Sequence, residues 1–123
     1  MAIMLVRNKI SPEGMRGFTS DNDLDGEGRE EMVRTALSAI GVELKQVYFS
    51  GGDGSAVLIV EGDAEKIPVL EAWAMSTGAF SSTQAEVLIP LKEFVRAAKS
   101  VGKVYDLYDA PNRDEIDRML LDE

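Results

Sequence analysis

Hydrophobic and polar positions divide the chain into short blocks with distinct rhythms. AIMLVRNK, near the start, is a branched apolar run that turns polar, which reads as a strand. SPEG follows. Ser11 suits a helix cap, Pro12 its first position and Glu13 the positive end of the dipole, while Gly14 and Gly17 weaken that turn. REEMVRTALSAIG is periodic: Val33, Ala36, Leu37 and Ile40 share one helical face, and Gly41 is a natural terminator. VELKQVYFS and SAVLIVE read as strands joined through GGDG, a hairpin connection. DAEKIPVLEAWAMSTG reads as a helix with Asp63 as candidate cap and Gly78 as its stop; Pro68 favours a start nearer itself. AFSSTQAEVLIP is a fourth strand, and LKEFVRAAKS a short amphipathic helix.

The order is strand–helix–strand–strand–helix–strand, then a helix. Right-handed crossovers turn it into a split βαβ, ferredoxin-like α+β fold: a four-stranded antiparallel sheet with helices on one face, plus short C-terminal helices. Residues 1–100 are expected to form this domain, with an acidic insertion at about 19–28. Residues 101–123 are expected to be a tail. In it VYDLYD suggests a short extended piece, and NRDEIDRMLLDE an amphipathic helix capped by Asn112, with Ile116, Met119 and Leu120 as a stripe that docks.

Three segments together resemble the GYD-domain family of the dimeric α/β-barrel superfamily. They are SPEGMRGF, AIGVELKQVYFSGGDGSAVLIVEGD and STGAFSSTQAEVLIP, and the resemblance as a whole covers roughly residues 3 to 96. Order and spacing carry the resemblance. Where the family has Gly-x-Tyr-Asp, this chain has Gly52, Asp53, Gly54 and Ser55, so the roles of that tyrosine and aspartate do not transfer. The resemblance implies a dimeric barrel. It implies no particular reaction, because the superfamily includes cofactor-free monooxygenases, isomerases, stress-response proteins and ligand-binding modules.

Charge and composition narrow the partners. With 123 residues and a net charge of −9, the chain is one acidic domain's worth of sequence. Such a surface repels phosphate backbones and anionic lipid, so neither nucleic acid nor membrane is an expected partner. There is no cysteine and no histidine, which removes thiolate chemistry, the commonest general base and the commonest transition-metal ligand. The opening MAIMLVRNKI is apolar over six residues only, too short for a signal or a span, and the expected location is cytoplasmic.

DNDLDGEG, residues 21–28, has the opening of a calcium loop: Asp21, Asp23, Asp25, then Gly26. The twelfth place, where a bidentate Glu belongs, is Met32, and the eighth is Gly28. The stretch therefore reads as an acidic insertion ahead of a helix N-terminus, with no metal site expected. GGDG lacks a following helix and a P-loop lysine, so a hairpin turn is favoured over a phosphate cradle. Glu43 and Glu86 alternate with apolar residues on their strands, but nothing brings carboxylates together for acid–base work.

No catalytic residue and no cofactor is assigned. Tyr48, on the second strand, and Trp73, the only tryptophan, are the candidate ligand-binding residues for a pocket between sheet and helices. The best-fitting function is a non-catalytic small-ligand or protein-interaction module. The alternative is a cofactor-free monooxygenase- or isomerase-like enzyme acting on a small organic molecule, which needs convergent polar groups in a cavity. Apolar residues alternate onto both sheet faces: Ala56, Leu58 and Val60 against Val57 and Ile59, and Ile3 and Leu5 against Met4 and Val6. A sheet covered on both sides implies a homodimer, sheet against sheet, through Val57 and Ile59 or their opposite-face neighbours.

Overall fold

The structure is a computed structural model describing residues 1–22, 25–112 and 119. Four strands, β1 (Ala2–Ile10), β2 (Glu43–Ser50), β3 (Ser55–Gly62) and β4 (Phe80–Leu88), form one antiparallel sheet in the order β2-β3-β1-β4. The first crossover carries α1 (Pro12–Ser20) and α2 (Glu27–Ala39), the second α3 (Ile67–Ser76), and α4 (Leu91–Lys99) follows the sheet. The fold is α+β and ferredoxin-like. No helix among the described residues is long and apolar enough to cross a membrane.

The chain divides into two compact units, Met1–Leu88 and Ile89–Glu123. α4, grouped with residues 1–100 in the sequence reading, falls in the second. There the segment expected to be extended, VYDLYD, begins as a turn. Tyr105 N–H donates to Val101 O at 2.9 Å and Leu107 N–H to Val104 O at 3.0 Å. A lone extended piece leaves its backbone groups without partners, whereas the turn satisfies them locally. Of the expected tail stripe, Ile116 and Leu120 lie outside the described residues, and Met119 is exposed.

Within the first unit, alternation sorts the sheet into two faces. Met4, Val6 and Asn8 of β1 stand opposite Val60, Leu58 and Ala56 of β3 and face the helices. Leu37 of α2 and Leu70 of α3 close onto Met4, Val6, Leu44, Leu58 and Val60 to form one buried core, which Val42 joins. Burying each such side chain stabilises the fold by roughly 1.5–3 kcal/mol. α3 starts at Ile67 with Pro68 in its first turn, after a single 3₁₀ turn at Ala64–Lys66, because proline is tolerated only where no intrahelical N–H is needed.

The opposite face carries Ile3, Leu5, Val57, Ile59 and Leu88 at its centre, with Arg7, Lys9, Glu61 and Glu86 around them. β2 contains a bulge: Leu44 pairs with Val60, but Gln46 pairs with Ile59. The extra residue, Lys45, shifts the side-chain alternation by one. Val47 and Phe49 thus follow Leu44 onto the helix face, and Tyr48, opposite Val57, points the other way.

Candidate ligand cavity

The core fills the end of the sheet where β1 begins. Along β1 toward Asn8 the packing opens, because α2 packs mainly on β2 and α3 on β4. Between them lies a cleft of about 1370 Å³, open to solvent. Its floor is Val6 and Asn8 of β1, Ala56 and Leu58 of β3, and Val47 of β2. Trp73 and Ala74 of α3, Val33 and Ala36 of α2, and Gly14 and Phe18 of α1 form its walls. The volume exceeds the roughly 300–1,000 Å³ of common small-molecule sites, as suits an open cleft.

The α1 wall is held by a short set of contacts. Buried Ser11 caps the helix: its Oγ accepts from Gly14 N–H at 3.0 Å and donates to Gly78 O at 2.8 Å. Its own N–H donates to Ala79 O at 2.8 Å. Gly14 then lies so close to the α3–β4 turn that a Cβ there would stand 2.2 Å from Ala79 O. The two glycines that weaken this segment as a sequence therefore do not prevent a nine-residue helix. Capping and close approach outweigh a propensity cost of about 1 kcal/mol per glycine.

At the rim, α1 is tied to α2. Arg29 donates from Nε to Asp21 Oδ2 at 3.0 Å, forms an ion pair with it through Nη2 at 2.5 Å, and stacks 5.2 Å from the Phe18 ring centre. Asp25 Oδ1 accepts from Glu27 N–H at 3.0 Å, an Asx-type turn leading into α2. The described part of the acidic insertion thus works as helix-end chemistry. Among the described residues no group of three acidic side chains is arranged to hold a metal; Asp23 lies outside them.

Among the described residues Asn8 is the one buried polar side chain in the lining, at 6% exposure. Its Oδ1 accepts from the Thr83 hydroxyl across the β1–β4 pair. Thr77, also in the lining, is internally engaged: its Oγ1 donates to Ala74 O at 2.8 Å and accepts from Ala79 N–H at 3.2 Å. Asn8 had a signal in the sequence, a polar residue at the fourth inward position of a strand whose first three, Ala2, Met4 and Val6, are apolar. It is read there only as the polar end of β1.

Of the two aromatic candidates, Trp73 lines the cleft, while Tyr48 lies on the opposite sheet face, where its hydroxyl donates to Gln46 Oε1. They do not share a pocket. The strand carboxylates lie apart from the cleft as well. Glu43 stands opposite Glu61, and Lys45 Nζ bridges the two at 3.2 Å each. Hydrogen bonds to Glu43 and then Glu61 push the Lys45 ammonium above its ordinary pKa. GGDG is a hairpin turn: Gly54, at φ +74°, returns its N–H to Ser50 O at 2.8 Å, and Ser55 Oγ donates to Asp53. Asp53 also pairs with Arg7 at 3.8 Å.

No protein-family model, curated protein or solved structure matches the chain. Its chemistry therefore has to be read from the cleft. A mostly apolar floor, aromatic side chains on two walls and a buried amide suit holding a small molecule. The charged groups of the lining, such as exposed Glu27 and Arg29, sit where water reaches them.

Proposed function

We propose that the chain is a GYD-type, non-catalytic small-ligand-binding module that works as a homodimer. The cleft over Asn8 carries the reading: it is a large, open and mostly apolar hollow beside the packed core, the kind of surface that small-molecule sites use. With no histidine or cysteine in the chain, and with its carboxylates at the rim, binding fits the lining better than acid–base or nucleophilic chemistry. Trp73 makes the test direct, being the only tryptophan and part of the wall. Titration with a neutral naphthalene fluorophore should quench Trp73 saturably. Unchanged Trp73 emission, with probe emission as in buffer, refutes the cavity reading.

The homodimer rests on the second sheet face. Leu5, Val57 and Ile59 form its apolar centre, with Ile3 and Leu88 beside them. Charges are split along the strands: Arg7 and Lys9 lie toward one end of β1, Glu61 and Glu43 toward the other. A twofold axis in the interface plane and perpendicular to the strands brings each basic end onto the partner's acidic end. Sedimentation at low micromolar concentration should give a dimer, and Ile59→Glu a folded monomer. A monomeric wild-type protein refutes this part.

A further inference from the structure

We infer that the cleft selects uncharged, carbonyl-bearing apolar molecules, bound with the carbonyl oxygen on Asn8 Nδ2, and that it excludes anions. This rests on the ligand-binding reading above and names the ligand class. The Asn8 amide is buried, and its oxygen is taken by the Thr83 hydroxyl, so its NH₂ end is what it offers to the cleft. Among the described residues that nitrogen has no protein acceptor, and since no buried side-chain donor there is left without a partner, it faces the solvent of the cleft, where a ligand oxygen can take the place of water. A ligand oxygen reaching the floor satisfies it, and an amide donor suits a carbonyl in particular. Around it Val6, Leu58 and Val47 offer apolar surface and Trp73 an aromatic ring, which suits a ligand body that is hydrocarbon or aromatic.

Charge decides the rest. Among the described residues the rim holds five carboxylates, Glu13, Asp21, Asp25, Glu27 and Glu30, against one guanidinium, Arg29, which already pairs with Asp21. A carboxylate or phosphate ligand therefore approaches a net negative rim in an acidic protein and loses hydration without gaining a new cation. An ammonium passes the rim, but at the floor it meets the donor end of Asn8. An uncharged carbonyl compound fits both levels of the cleft.

The test uses 6-propionyl-2-dimethylaminonaphthalene, the same fluorophore with a carboxylate in place of the propionyl group, and the matched hydrocarbon that carries no carbonyl. Energy transfer from Trp73 reports binding in the cleft. The ketone should bind saturably, with the acid at least ~10-fold weaker. Asn8→Leu, which keeps the volume and removes the donor, should weaken the ketone about three- to tenfold, the worth of one hydrogen bond, and leave the hydrocarbon unchanged. If Asn8→Leu does not fold by circular dichroism, the wild-type comparison decides: a ketone no tighter than the hydrocarbon overturns the inference. An acid that binds as tightly as the ketone, or an Asn8→Leu protein with unchanged ketone affinity, overturns the ligand class while the cavity reading stands. If none of the three probes quenches Trp73, both fall.

Discussion

Gly14→Ala and Gly17→Ala make the same change one turn apart on α1, and the structure assigns them opposite signs. At Gly14 the new Cβ would meet Ala79 O at 2.2 Å, with Ala79 C at 3.0 Å and Cα at 3.1 Å, all backbone atoms that cannot rotate away. An unstrained carbon–oxygen contact is about 3.3 Å, so α1 must lift by roughly 1 Å at that point. Lifting stretches two bonds that hold its start, Ser11 N–H to Ala79 O and Ser11 Oγ to Gly78 O, both 2.8 Å. Overpacking costs about 1–3 kcal/mol, and two weakened hydrogen bonds up to about 1 kcal/mol each. Alanine's helix preference returns about 1 kcal/mol. With both hydrogen bonds lost in full, the expected net loss is about 2–4 kcal/mol. At Gly17 nothing lies within 4 Å of the added carbon, so only the propensity gain acts, about 0.4–1 kcal/mol. Urea denaturation followed by circular dichroism separates them. For m near 2 kcal/mol/M the Gly14→Ala midpoint should fall by about 1–2 M, while the Gly17→Ala midpoint rises slightly. A Gly14→Ala protein as stable as Gly17→Ala would mean that α1 does not pack on Ala79, and the wall of the cleft would be wrong.

Three further outcomes are expected. Ser11→Ala should cost about 1–2 kcal/mol through the lost cap and the lost bond to Gly78, and combined with Gly14→Ala it should be less than additive, since both act on the same contacts; double-mutant denaturation measures this. Lys45, raised above its ordinary pKa of 10.5 by Glu43 and Glu61, contributes stability that is full below that value and fades as pH climbs through the raised one. The stability difference between wild type and Lys45→Met should accordingly shrink only above about pH 10.5, and a difference that changes between pH 7 and 9 contradicts the assignment. Calorimetric titration with calcium should show no binding tighter than roughly 0.1–1 mM; a micromolar affinity abolished by Asp23→Ala would reverse the reading of residues 21–28.

Local chemistry was enough to outline the elements. A proline cannot sit inside a helix, so Pro68 marked where α3 begins, and Ser11-Pro12-Glu13 marked the start of α1. Apolar alternation in β1 and β3 separated Met4, Val6, Leu58 and Val60 from Ile3, Leu5, Val57 and Ile59, because a strand's side chains must alternate. Three matters were settled only by tertiary structure. Strict alternation along β2 would keep Tyr48 on the face of Leu44; the bulge at Lys45 moves it to the other, and a bulge depends on how two strands pair. Gly14 looked like a weakness in a helix until Ala79, 65 positions away in the chain, came within reach of its missing side chain. The polar end of β1 became a buried amide facing a cleft because α2 and α3 stand over opposite edges of the sheet, and that spacing belongs to the packing of distant segments, which no local pattern encodes.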